Sequence, residues 1–295
     1  MYITSINLYS QDISIDSNST GKKDSICYML KFKAGDTLIY KVISFDSISI
    51  DFDTPLMRYR EERIAIVCDA IDTSGHFLLS QSLIEYKGIE NHGEEKDVER
   101  KTSAWIGRVV KYEIDSLGNR FSYTLDDSSK AALTPGGSFQ PYLIFPFQKS
   151  CKTVNETWIA ESTDDIPENG IPVPLIHETL LCRARENIDT LNEKCMRFEF
   201  IKTGQGNMKV MTEKEPIQVT SVINGFGKLD ISMTKFIPIH FFCTLEQKLT
   251  LHFADNTTKP GLHYINANFT LESIKHYKEV PKQLKTKSKQ HGRYK

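Results

Sequence analysis

The sequence lacks the features that mark several large classes of protein. No apolar run approaches the roughly 18–20 residues that a membrane-spanning helix needs. No long stretch repeats its apolar residues with the 3.6-residue period of an amphipathic helix, so we expect helices to be few and short. The formal net charge is only −1, and 39% hydrophobic with 25% charged residues is typical of a globular rather than a disordered chain.

Catalytic and nucleotide-binding motifs are also missing from the 295 residues. The sequence contains no G-x-S-x-G nucleophile elbow, no phosphate-binding loop, no dinucleotide fingerprint and no H-E-x-x-H zinc motif. Gly204-Gln205-Gly206 is not followed by a predicted helix, and phosphate binding by a glycine-rich loop needs the N-terminus of such a helix. The sequence therefore predicts a protein that is not an enzyme and has no cofactor. An envelope hydrolase remains a third hypothesis, because convergent catalytic sites need not leave a motif.

The six cysteines show no C-x-x-C and no regular spacing. In a chain of this size we expect them to be small buried hydrophobic residues rather than a disulfide framework. Cys182 and Cys195 could pair across a hairpin. A turn centred near Leu191 would place Cys195 opposite Asn187, however, and this register disfavours the bridge.

Three histidines near the end of the chain are the strongest candidates for a metal site. If strands pair around residues 256–261, His252, His263 and Asp255 could converge, with His240 nearby in sequence. His240 and His252 alternate with apolar residues, as solvent-facing polar residues do. No ligand-spaced motif is present, so no metal is predicted.

The sequence instead contains short segments that alternate apolar and polar residues with the period of a half-buried strand. Val110, Tyr112 and Ile114 form one such series, and Asp72-Thr73-Ser74-Gly75 is one of several turn sequences between segments. This pattern predicts antiparallel hairpins. We expect loops or turns at 88–101, 161–174 and 224–225.

One segment occurs twice. Residues 32–40 match residues 152–160 at an offset of 120, with Gly35 matched by Asn155 and Leu38 by Trp158. Glycine and asparagine both adopt positive φ readily, so each copy predicts a tight turn that begins a strand. Similar series of hairpins follow both copies, which favours an internal duplication.

The predicted fold class is mainly β, with two similar curved antiparallel sheets, duplicated half-barrel-like halves, and few short helices. The predicted divisions are a leader or signal remnant (1–26), a first β half (27–148), a second β half (149–274) and a basic tail (275–295). The tail carries seven Lys and one Arg against one Glu. We expect it to be solvated, and we expect no nucleic-acid partner.

Ile144-Phe145-Pro146 followed by 152–158 resembles a Phe-Pro step and Lys-x-Gly-Asp-x-Trp turn of exported proteins of the Bacteroidota, although Asn155 and Glu156 replace the Gly and Asp. With the 32–40 copy and the 225–230 strand, the resemblance covers about residues 27–253. Proteins of this kind look like the half-barrels of periplasmic lipoprotein carriers. The resemblance implies a concave apolar face, and a fold by itself does not define a function.

Four aromatic residues are the candidate ligand-binding set: Tyr142, Phe145, Phe147 and Trp158. They cluster at the joint between the halves, where a cleft could hold a lipid or another apolar or extended ligand. Packing of the joint explains the same residues without a ligand.

The N-terminus resembles the end of a bacterial secretory signal, with Leu8-Tyr9-Ser10 as the cleavage box and Gln11 as the mature start. An ordinary N-terminal strand or frayed end is the alternative. We therefore expect a non-catalytic exported protein of the periplasm or cell envelope that binds an apolar ligand, its signal truncated at the given start. The alternative is a structural or protein-interaction module without a small-molecule site, whose sheet edges pair with a partner strand.

Overall fold

A computed structural model describes residues 25–103, 106–107, 109–125, 143–144, 146–168, 171–211 and 216–276. These residues form fourteen strands: β1 Ser25–Cys27, β2 Thr37–Ile50, β3 Leu56–Ile71, β4 Phe77–His92, β5 Glu95–Arg100, β6 Val109–Ile114, β7 Arg120–Leu125, β8 Cys151–Thr153, β9 Thr157–Glu168, β10 Ile171–Thr190, β11 Glu193–Met211, β12 Pro216–Ser232, β13 Pro238–His252 and β14 Thr258–Lys275. The predicted leader (1–26) lies outside the described residues except for Ser25 and Ile26, which belong to β1, and Lys275 and His276 are the described part of the predicted basic tail.

Twelve of these strands form one antiparallel sheet, in the order β7-β6-β4-β3-β2-β14-β13-β12-β11-β10-β9, with β5 beside β4. Strands β1 and β8 form a separate pair. Over the described ranges the structure contains no helix, and hence none there that could span a membrane. The mainly β, antiparallel fold class predicted from the alternation is confirmed.

The two predicted sets of strands are joined by the pairing of β14 with β2. This ladder runs from Gly261 opposite Ile50 to Lys275 opposite Thr37. The sequence predicted two similar sheets meeting at a shared joint, and the structure refines this into one continuous sheet. The sheet is not closed: its last strands, β7 and β9, do not pair, although Arg120 Nη2 donates to the carbonyl of Thr163 at 3.1 Å.

The turns at Gly35 and Asn155 are equivalent, as the repeat predicted. Their φ angles are 84° and 67°. The Gly35 amide donates to the carbonyl of Cys68 at 2.7 Å, and the Asn155 amide donates to the carbonyl of Ala184 at 2.8 Å. In each turn the residue that accepts this bond also donates one. The Cys68 amide donates to the carbonyl of Asp36 at 2.9 Å, and the Ala184 amide donates to the carbonyl of Glu156 at 2.9 Å.

The predicted turn at Asn224-Gly225 is wrong, because both residues lie inside β12. A Cβ on Gly225 would lie 2.4 Å from the Leu245 side chain, and one on Gly227 would lie 2.6 Å from the Phe200 ring. These glycines therefore allow large side chains of adjacent strands to pack against the backbone. The predicted loops are also largely extended: 88–92 and 95–100 belong to β4 and β5, and 161–168 and 171–174 belong to β9 and β10.

One face of the sheet carries the hydrophobic core, which includes side chains from both sets of strands. An aromatic cluster occupies it near β1 and β8. The rings of Tyr28 and Phe147 are 4.0 Å apart, those of Phe147 and Phe198 4.8 Å, and those of Phe147 and Trp158 5.7 Å. Backbone hydrogen bonds such as Tyr28 N to Ser150 O, 2.6 Å, hold these segments together.

A disulfide joins Cys27 of β1 to Cys151 of β8 across 124 residues of sequence. The interpretation of all six cysteines as free buried residues is therefore wrong for this pair. The other four, Cys68, Cys182, Cys195 and Cys243, are free and buried. Cys182 lies opposite Phe200, and Cys195 opposite Ile188, so the disfavoured Cys182–Cys195 bridge is indeed not formed.

Replacing Trp158 with alanine should strongly destabilise the protein. The ring is 5% exposed, packs on Phe147 and Phe198, and donates from Nε1 to the carbonyl of Pro146 at 3.1 Å. Removing a buried ring typically costs about 3–5 kcal/mol. Urea unfolding should show this loss, whereas Phe52→Ala, at a ring that is 91% exposed, should unfold like the parent protein. Equal midpoints for the two variants would contradict the assigned burial.

Candidate functional site

The face of the sheet opposite the core carries an exposed row of apolar side chains. Ile159 of β9 pairs with Leu181 of β10, Leu181 with Ile201 of β11, and Ile201 with Phe226 of β12. Direct cross-strand partners on one face lie about 4.5–5.5 Å apart at Cβ, so these four side chains form a continuous line. Their exposed fractions are 54%, 50%, 64% and 55%. We call these four residues the apolar row.

Polar residues border the apolar row on both sides. On one side, in the same register, lie Arg183, Glu199 and Lys228. The other side carries a second set of pairs: Thr179, Thr203, Asn224 and Glu246. Two adjoining depressions of about 520 and 720 Å³ share Leu181, Ile201 and Phe226, and Tyr264 lies at the far end of the larger one. The surface therefore offers an apolar strip between two polar margins.

The sequence contains a signal for the apolar row that strict apolar–polar alternation does not predict. Trp158-Ile159, Leu180-Leu181 and Phe200-Ile201 are apolar doublets in otherwise alternating strands. In each doublet the first side chain is buried and the second is exposed. Because successive strand residues point to opposite faces, such a doublet indicates that both faces are apolar at that level of the sheet.

Of the four predicted ligand-binding residues, Tyr142 and Phe145 lie outside the described residues. Phe147 is fully buried, and Trp158 packs beside it with Lys152 Nζ 4.3 Å from the centre of its ring. Both belong to the core cluster rather than to the apolar row. Their predicted ligand-binding role stays a prediction.

The candidate metal ligands near the C-terminal strands are not brought together. His263 is buried and hydrogen-bonds Gln247 at 3.1 Å, whereas His252 contacts Thr220 at 3.2 Å. Asp255 accepts from the amide of Thr257 in its own turn at 2.9 Å. A different group, Asp72, His76 and Glu113, has its ligand atoms within 4.8 Å of one another.

Asp46 and Asp230 have no exposed surface, and each forms ion pairs with arginine side chains of an adjacent strand. Burial raises the pKa of Asp46, but His263, whose Nε2 lies 3.9 Å from Oδ2, and the charges of Arg60 and Arg58 outweigh it and hold the pKa at about 2. Arg58 Nη2 lies 2.6 Å from Asp46 Oδ2 and Arg60 Nε lies 3.0 Å from Oδ1. The carboxylate thereby stays ionised inside the protein.

Asp230 has the same kind of environment. Burial raises its pKa, and the hydrogen bonds from Arg197 and His240 overcome this effect and lower the pKa to about 2. Arg197 donates to its two oxygens at 2.7 and 2.8 Å, and His240 Nδ1 is 3.2 Å away. This group and the Asp46 group are structural ion-pair clusters, since each charge has a partner of opposite sign.

The free thiols are protonated at neutral pH. Burial is the main cause in all four, and it raises the pKa of Cys68 and Cys195 to about 11 and that of Cys182 and Cys243 to about 12. A thiolate is the reactive form of cysteine, so these residues are poor nucleophiles.

Acid should destabilise the protein through Asp46 and Asp230. Both pKa values are lower in the folded protein than the value of about 3.9 in an unfolded chain. Their contribution to the free energy of unfolding is therefore present above pH 4 and is lost as the pH falls towards 2. The loss amounts to about 2 kcal/mol for each carboxylate. Urea unfolding at pH 7, 4 and 2.5 measures it.

The variants Asp46→Asn and Asp230→Asn should be less stable at pH 7, because each removes the buried carboxylate that pairs with the neighbouring arginines, and should lose less stability on acidification. Glu94→Gln, in the exposed β4–β5 turn, is the matched control and should follow the parent at every pH. A parent-like acid slope in both aspartate variants would refute the assignment.

No family model and no curated protein matches the chain. Among solved structures, the chain is similar to lipovitellin, in a study of its lipid–protein interactions, with a TM-score of 0.44 and 12% identity over 84% of this chain. The chain spans 26% of that lipovitellin chain. It is also similar to a loop-deletion mutant of OmpT, an outer membrane protein of Vibrio cholerae, with a TM-score of 0.20 and 8% identity over 80% of this chain and 100% of that one. At these TM-scores the likeness says nothing about function.

Proposed function

We propose that this protein is a non-catalytic, exported protein of the cell envelope that binds an apolar, extended ligand along the apolar row. The observation that carries this proposal is the alignment of Ile159, Leu181, Ile201 and Phe226 on four consecutive strands, each at least half exposed. Surface apolar residues scattered singly are ordinary, whereas a contiguous exposed strip marks an interaction site.

Burial of the apolar row by a ligand would contribute favourable free energy to binding. Full burial of a Leu, Ile or Phe side chain contributes roughly 1.5–3 kcal/mol. Covering the exposed half of four such side chains therefore contributes about 3–6 kcal/mol before the cost of association. Arg183 and Lys228 on the margin could contact a polar or anionic end of the ligand, so an acyl chain with a carboxylate suits the surface.

The chemistry of the described residues supports a non-catalytic role. The free thiols are buried and protonated, and the strongly ionised carboxylates Asp46 and Asp230 are paired with arginines. None of these six groups belongs to the apolar row or its polar margins.

The second candidate function is an interaction module that pairs a partner strand with a sheet edge. Among the described residues β7 and β9 are the edge strands of the sheet, which favours this function because backbone groups at an edge can accept another strand. The bond from Arg120 to the carbonyl of Thr163 occupies part of the β9 edge, however. We therefore rank ligand binding at the apolar row first.

Titration with a fluorescent fatty acid tests ligand binding. We expect saturable binding by the parent, and Ile201→Ser with Phe226→Ser should weaken it by at least about tenfold, because the pair loses more than about 1.4 kcal/mol of apolar contact. Both side chains point away from the core, so the unfolding midpoint should change little.

The matched control is Ile84→Ser, since Ile84 is 44% exposed on β4, outside the apolar row. It should bind like the parent. No saturable binding by the parent would overturn the proposal and leave the interaction module. Equal binding by the double variant and the control would place the ligand elsewhere, and the predicted cleft near Phe147 and Trp158 would be tested next.

The disulfide between Cys27 and Cys151 supports export, because disulfides persist in oxidising compartments. We expect fractionated source cells to contain the protein in the envelope fraction. After denaturation without reductant, four of its six cysteines should react with a thiol reagent, and all six should react after reduction. A cytoplasmic protein with six reactive thiols would contradict export.

A further inference from the structure

Two acidic residues and a histidine meet at one end of the first set of strands. His76 Nδ1 lies 2.7 Å from Glu113 Oε1 and 3.8 Å from Asp72 Oδ2. The three side chains are about a quarter to a third exposed, so solvent can reach them. They come from the β3–β4 turn and from β6, which pairs with β4.

Each of the three side chains is held in place by its surroundings. Asp72 Oδ1 accepts hydrogen bonds from the amides of Ser74 and His76, both at 2.8 Å, and its Oδ2 is directed towards the imidazole. The His76 ring stacks on Phe121, with centroids 4.4 Å apart and planes within 6°. Such partners, which orient a ligand group without binding the metal themselves, are usual in metal sites.

In the second set of strands, the residue that corresponds to Glu113 has basic side chains as neighbours. Lys228 to Ile231 echoes Lys111 to Ile114, so Asp230 corresponds to Glu113. Asp230 lies between Arg197 and His240 of the flanking strands and contacts both. Glu113 lies between Leu78 and Ser122 instead.

In the ion pairs of the described residues, the carboxylates of Asp72 and Glu113 share one imidazole, that of His76. Both carboxylates lie next to this imidazole, with His76 Nδ1 3.8 Å from Asp72 Oδ2 and 2.7 Å from Glu113 Oε1. An excess of carboxylate around a histidine is a setting that suits a divalent cation.

We propose that Asp72 Oδ2, His76 Nδ1 and Glu113 Oε1 bind a divalent transition metal ion, with Zn²⁺ as the best match. One imidazole and two carboxylates are zinc ligands, whereas Ca²⁺ and Mg²⁺ prefer sets made only of oxygen. Bonds of 2.0–2.2 Å in a tetrahedron separate the ligand atoms by about 3.3–3.6 Å. The 2.7 and 3.8 Å separations bracket that range, so small side-chain rotations suffice.

The fourth position of such a site is open to water or to an external ligand. The ion would tie the β3–β4 turn to β6, near the edge of the sheet formed by β7. Because the imidazole must lose its proton to bind metal, binding should release a proton below neutral pH and weaken as the pH falls.

Isothermal titration of the full chain with ZnCl₂, after treatment with a chelator, tests the proposal. We expect one site, a higher unfolding midpoint with Zn²⁺, and a heat at pH 6.5 that depends on the ionisation enthalpy of the buffer. His76→Ala and the isosteric Glu113→Gln should each weaken binding at least tenfold.

His252→Ala is the matched control, because His252 lies on β13, outside the proposed site, and its imidazole hydrogen-bonds Thr220 at 3.2 Å. It should bind Zn²⁺ like the parent. Absence of stoichiometric binding by the parent would overturn the proposal. Binding that survives unchanged in both His76→Ala and Glu113→Gln would also overturn it and assign the zinc to other histidines. These outcomes are independent of fatty-acid binding at the apolar row.

Discussion

The antiparallel pairing that runs unbroken from β3 through β2 and β14 to β9 is the constraint on which the rest of the structure depends. A slip of one residue in any of these ladders would move every side chain beyond it to the other face. The same register that places Phe198 and Phe200 in the core places Ile201 on the opposite face, beside Leu181 and Phe226. The core and the candidate binding surface are therefore two consequences of one set of hydrogen bonds.

Burial of charge on the sheet adds a second constraint. Asp46 and Asp230 have no exposed surface, and each depends on arginine from a neighbouring strand. A buried charge without its partner is costly, so these clusters hold particular strands in register as well as neutralising one another. Asp46 joins β2 to β3, and Asp230 joins β11, β12 and β13.

The two sets of strands have similar turns and different chemistry. Gly35 and Asn155 make the same backbone hydrogen bonds. The apolar row occurs only on strands of the second set, and the position of Asp230, compensated by Arg197, corresponds to Glu113 with His76 in the first set. A repeated framework thus carries an apolar strip at one place and a concentration of carboxylates at another. The proposed ligand site and the proposed zinc site are accordingly separate.

Several parts of the architecture could be predicted from the sequence because they depend on neighbouring residues. Alternation over Val110 to Ile114 identified a hairpin strand, and the residue types at Gly35 and Asn155 identified equivalent turns. The apolar doublets also contain the information that both faces are apolar at the level of Ile201. Asn224-Gly225 was wrongly predicted as a turn, because the glycine at 225 is required instead by the close approach of Leu245, which belongs to another strand.

What the sequence by itself determined was the class of fold, the local strands and the conformation of the repeated turns, since each follows from backbone preference and side-chain periodicity over a few residues. Only the tertiary structure decided that β14 pairs with β2, that Cys27 meets Cys151 and that Asp72, His76 and Glu113 converge. It also decided that Phe147 and Trp158 fill the core, while Ile159 faces solvent. Contacts between residues far apart in the chain depend on which strands pair and in what register, and no local pattern contains that information.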